Sequence, residues 1–275
     1  MNLLNLREPV SALTHGAWFL MIVPAAVLLC RRVAGNPARW ASMVVYTACL
    51  AFCALASTLY HAVVVTRDQI PYYLLLDHVG IFLLIAGTFT PIAAAMLHGP
   101  WRRWSLVVTW VVAALGICLR LFMMTLPNWL TTSIYLAMGW GSLICYLELT
   151  RHYSQWTLCP IPIGGLIYSI GAVFHVFHWP VIWPGYVGAH DLFHVLVMAA
   201  SAVHFAFILR VVANLESVPD LAVPATPAEA PATRPLVAAE GNAFVIEVPR
   251  RSGVERPHVH FPNMLRSRRR PGQAG

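Results

Sequence analysis

The chain contains no lysine: all 18 of its basic residues are arginine, which removes Schiff-base and lysine-base chemistry at the outset. Charge of either sign is scarce. Charged residues are 11% of the 275, hydrophobic residues are 59%, and mean hydropathy is +0.67, a balance that water-soluble domains do not have. CxxC pairs are absent too. The six cysteines, Cys30, Cys49, Cys53, Cys118, Cys145 and Cys159, lie in or beside apolar runs and read as small core residues rather than disulfides or zinc thiolates. No small-residue cleavage site follows the first apolar run, so it reads as a retained span. The net charge of +7 does not mark a nucleic-acid binder, because the arginines fall in short loops and a tail rather than along one face.

What is there is a succession of apolar stretches near the length that crosses a bilayer. They give about seven helices, over 13–30, 40–65, 72–97, 104–122, 129–147, 158–177 and 189–212. Tryptophans 40, 101, 104, 129, 156, 179 and 183 cluster at the junctions, where an amphipathic ring prefers headgroup level. The fold class expected is therefore all-α: a seven-helix transmembrane bundle over 1–213, embedded in membrane lipid as a multi-pass protein. From 214 to 275 the composition turns rich in Pro, Ala and Arg and reads as a disordered tail. Its basic end, Arg266, Arg268, Arg269 and Arg270, is either an anionic-lipid contact, worth about 1 kcal/mol per arginine, or a solvated terminus.

The polar residues on this frame are unevenly placed. Of the 12 histidines, His15, His61, His78, His175, His178, His190 and His194 all fall at the membrane face that carries the N-terminus. Counting about 1.5 Å per residue sets His61, Asp77 and His194 at a common depth of roughly 6–8 Å inside their helix ends. His190 and His194, four residues apart in H-D-L-F-H, project from one helical face and can chelate one ion. With His61 as third ligand they form a zinc site with an open fourth position, which activates water. Asp77 is placed to act on that water as general base, and Ser57, one turn before His61, to steady it or an oxyanion.

Each residue also has a plainer reading. His61 suits an interface, and Asp77 an ion pair with His78 or Arg67. His15, His175 and His178 suit hydrogen bonding around the ligands. His204 suits a bond to a neighbouring helix, Asp191 a helix N-terminus, and Glu148 an ion pair with Arg151. The row Cys49, Cys53, Ser57, His61 suits a seam of small residues.

The strings "REPVSALTHG", "ALASTLYH", "LLLDHVGIFLLIAGTFTP" and "HDLFHVLVMAASAVHF" resemble, in order, the hemolysin III and progestin/adipoQ (adiponectin) receptor family, from about Glu8 to His204. The resemblance implies seven spans and zinc held by His61, His190 and His194, with Asp77 and Ser57 beside the metal. The wider superfamily includes alkaline ceramidases, which implies lipid amide hydrolysis. About twelve residues precede the first span, which favours the shorter hemolysin III branch over a hormone receptor.

Two function classes stand open. One is a zinc-dependent hydrolase of a lipid amide or ester. The other is a non-enzymatic receptor-like signalling protein or pore-forming cytolysin, in which zinc braces helices; nearly uncharged spans count against a pore. The lipid, the oligomeric state and the facing stay open as well. Seven arginines (31, 32, 39, 102, 103, 151, 210) flank one face against three (7, 67, 120) on the other, so the positive-inside rule puts the N-terminus outside. The receptor resemblance implies the reverse.

Overall fold

A computed structural model describes residues 6–123, 126–184 and 187–215; the expected tail falls almost wholly outside them. The described residues form helices α1 (Pro9–Arg32), α2 (Pro37–Ala62), α3 (Ile70–Met96), α4 (Gly99–Phe122), α5 (Asn128–Gly141), α6 (Leu143–Leu149), α7 (Gln155–Leu158), α8 (Pro160–Phe177) and α9 (Ala189–Arg210), the last followed by a short 3-10 turn. They make seven segments long and apolar enough to cross a membrane, as expected.

Several helices begin on a proline, whose missing N–H costs nothing in a first turn. Pro9, Pro37 and Pro160 open α1, α2 and α8, and the Asn36 side chain caps α2 by accepting from the Arg39 N–H at 3.1 Å. These prolines place the starts of the first two helices three to four residues earlier than apolar content suggests. The fifth span is broken at Ser142 between α5 and α6, and the sixth at Cys159 between α7 and α8. Helix α2 ends at Ala62, where Val63 turns extended ahead of three more β-branched residues.

The helices form a ring in chain order, closed by packing of α1 on α9. The second and third spans are the most enclosed. Their close approach is set by the small-residue row of α2: a Cβ on Gly87 would lie 2.5 Å from that of Cys49, and one on Gly80 would lie 2.9 Å from the Cα of Cys53. Gly164 on α8 likewise leaves room for the ring of His204 on α9, whose Nε2 donates to the Ile161 carbonyl at 3.1 Å.

One apolar core, built on Leu29, Met43, Tyr46, Leu50, Ile92, Met96, Phe207 and Ile208, fills the half of the bundle toward the ends of α1, α3 and α9. At that face Arg39 donates to the Leu215 carbonyl, Arg32 to Asn214, and Arg151 pairs with Glu148 at 2.8 Å. The other half, toward the N-terminal face, holds the histidines.

Candidate metal centre

His61 lies in the last turn of α2, one residue from its end, whereas Asp77 sits seven residues into α3 and His194 five into α9. The distance of about 6 Å counted from the helix end is therefore too large for His61, because α2 stops earlier than its apolar run. The convergence holds all the same. His194 Nε2 stands 3.0 Å from His61 Nε2 and 2.9 Å from His190 Nε2, and His190 Nε2 stands 3.4 Å from His61 Nε2. These three, from the second and seventh spans, are the group among the described residues able to hold a metal ion. His61 is 0% exposed and His194 4%.

The donor chemistry fits a cation. Glu8 at the N-cap of α1 accepts from His61 Nδ1 at 2.6 Å, so a neutral His61 turns the lone pair of Nε2 inward. His194 Nδ1 lies 2.8 Å from His15 Nε2, and His190 Nδ1 lies 3.1 Å from His175 Nδ1. Each inner imidazole thus has a partner able to take its outer N–H, the arrangement that fixes a metal-binding tautomer. Three lone pairs left facing one another would repel, and a cation between them removes the conflict. Tetrahedral zinc with nitrogens at about 2.0–2.1 Å requires them about 3.3–3.4 Å apart, close to the spacing found.

Asp77 and Ser57 lie beside this triangle rather than in it. Asp77 is 8% exposed, Ser57 1%. Ser57 Oγ makes no well-formed hydrogen bond, although it stands close enough to the Asp77 carboxylate to interact with it. Among the described residues the ion pairs are Arg7–Glu8, His61–Glu8, Arg151–Glu148 and His152–Glu148, and Asp77 forms none with His78 or Arg67. Asp191 accepts from the Gly188 N–H at 3.0 Å at the start of α9 and from Ser11 Oγ at 2.6 Å, which ties α9 to α1.

Glu8 is the contributor that sequence reasoning passes over as a mere flank of the first span. Its carboxyl is held below its ordinary range by the hydrogen bond from His61, against burial and with help from Arg7. Glu8 stands at a helix start, where a carboxylate is favoured in any case, and nothing local to it points to His61. Arg7 reinforces it by stacking over the Tyr60 ring at 4.1 Å.

A cavity of about 610 Å³ opens beside the centre. Glu8, Asp77, His78, His175 and His190 line its polar end, and Leu84, Ile85, Phe89, Ile92 and Val197 are among those that line the remainder.

Residues 4–205 match the sequence profile of a family described as Haemolysin-III related. Over 207 residues the chain is 31% identical to a "Hemolysin-3 homolog" of Bacillus subtilis (strain 168), covering 74% of this chain and 93% of that protein. It is 28% identical over 205 residues to "Hemolysin-3" of Bacillus cereus, covering 74% and 90%. It is also similar to "Heptahelical transmembrane protein ADIPOR2" of Oryza sativa subsp. japonica, 27% identical over 194 residues, covering 61% and 80%.

Proposed function

The chain belongs to the haemolysin-III related family of multi-pass membrane proteins, and on that footing we propose that it is a zinc-dependent hydrolase of a lipid amide or ester. The observation that carries this reading is a cluster of three inward-facing imidazole nitrogens, of which His190 lines the polar end of a largely apolar cavity that the buried Asp77 carboxylate also lines. His61, His190 and His194 would hold the ion. Bound there, zinc supplies Lewis-acid activation of water near neutral pH.

The protein's own groups do the rest. The apolar stretch of the cavity binds an acyl chain and excludes bulk water, which strengthens every polar interaction at its head. Asp77 takes a proton from the attacking water at its carboxylate and returns it to the leaving nitrogen or oxygen as the acyl bond breaks. Ser57 Oγ, buried with hydrogen-bonding capacity to spare, orients that water or the developing oxyanion.

A second reading, in which the ion only braces the bundle, has one observation in its favour. The ligands come from α2 and α9, and their outer nitrogens are held from α8, from α1 and from the residue capping α1, so a single ion couples four helices. Metal content and ceramide turnover of purified wild type and Asp77→Ala separate the two. Metal retained with turnover lost supports the enzyme. Absence of turnover in both, with thermal stability collapsing on chelation, supports the brace.

A further inference from the structure

A second buried polar cluster sits on the same cavity, away from the three imidazoles. Arg120, near the end of α4, is 2% exposed. Its Nη2 lies 2.6 Å from His78 Nδ1, its Nη1 reaches the Met123 carbonyl only at 3.5 Å, and its Nε has no partner. Among the described residues no carboxylate pairs with it. Tyr135 on α5 donates its hydroxyl to the His78 carbonyl at 3.2 Å and packs on Phe82. His78, the residue after Asp77, and Tyr135 both line the cavity.

A guanidinium can only donate. His78 Nδ1 must therefore accept, and the ring proton belongs to Nε2, for which the described residues offer no acceptor. An ionisable side chain inside a span is costly, and an unpaired one more so, so a cation kept there with a histidine as its chief partner calls for a purpose beyond packing. We infer that Arg120 locks His78 as the Nε2–H tautomer, making His78 a fixed hydrogen-bond donor that recognises the carboxylate or carbonyl head of an acyl lipid in the cavity. Arg120 is a positioning residue, and its uncompensated charge adds a preference for a negative head. The inference rests on the lipid reading above and supplies its head-group selectivity: Asp77 works on water while His78 holds the substrate's oxygen.

The test uses the purified, metal-loaded full chain in phosphatidylcholine nanodiscs, with hexadecanoate and hexadecylamine as probes. Wild type is expected to favour the acid. His78→Leu and Arg120→Leu should each reduce the acid-to-amine affinity ratio by about tenfold, the worth of one buried hydrogen bond. His78→Gln, whose amide nitrogen falls near Nε2, should restore most of it. Histidine 15N spectra of wild type should show His78 protonated at Nε2 only, a readout that does not depend on the variants folding. An unchanged ratio in His78→Leu, or an Nδ1–H tautomer in wild type, overturns the inference and leaves the hydrolase standing. If metal-replete wild type binds neither probe, the lipid reading falls and takes the inference with it.

Discussion

The two halves of this bundle are built on opposite rules. Toward the arginine-bearing face, α1, α2, α3 and α9 meet through Leu29, Met43, Leu50, Met96 and Ile208, with charge confined to loops and helix ends. Toward the other face the same helices meet through His15, His61, Asp77 and His194, all buried. Packing of apolar side chains can hold helices together within lipid, so the first half needs no further explanation. The second half gives up that packing for polar groups that are expensive in a membrane interior, which is the expense a functional site justifies. The dry half is the scaffold and the histidine half is what it positions.

A pair of truncations breaks the comparison most sharply. His61→Ala removes one ligand of three and is expected to abolish stoichiometric metal binding, read by elemental analysis of the purified protein, while the dry half remains helical by circular dichroism. Ile208→Ala does the reverse. It leaves a cavity costing about 2–5 kcal/mol of stability with metal content unchanged. Equal metal loss in both would mean that the halves are not separable.

The seam between α2 and α3 joins the halves and should respond as both. Gly87→Leu forces a side chain into Cys49 at the middle of the seam, and overpacking of this kind costs about 1–3 kcal/mol. Because α2 carries His61 and α3 carries Asp77, the shift should also weaken metal binding. Gly35→Ala, between α1 and α2, where an added Cβ meets nothing within 4 Å, is the control and should leave thermal stability and metal binding near wild type.

Reading the sequence finds the dry half easily, because spans are long signals and survive errors at their ends. Breaks inside spans are harder. Ser142 follows Gly139 and Gly141, a combination known to interrupt helices, and Pro160 cannot continue one, yet uninterrupted hydropathy hides both. In the polar half, the i, i+4 geometry of His190 and His194 is local and legible. The third ligand depends on how two helices meet, and depth counted from helix ends was a poor guide to it. Partners of the ligands were legible only as classes: His15 and His175 as hydrogen-bonders, but Glu8 not at all, since nothing local says that a residue preceding the first helix returns to the end of the second. The backbone bond from Glu8 N–H to the His61 carbonyl at 2.9 Å records that return.

Glu8 sharpens the comparison with the smallest expected effect. Its side chain touches the candidate ligand set through one hydrogen bond and stands outside the spans, so Glu8→Gln keeps shape and removes charge. Loss of such a partner weakens metal binding by about 10–100-fold, measurable by competition with a chelator of known affinity. Glu8 also imparts a pH dependence of defined sign. Since its carboxyl is lowered in the folded protein, chiefly by His61, its contribution is fully present above the ordinary carboxylate range and is lost as pH falls through the lowered native value. Wild type should therefore shed on acidification an increment of folding stability that Glu8→Gln has already lost, so the two thermal-stability curves converge at low pH and separate as it rises. Parallel curves would show that Glu8 shapes the site without lending it charge.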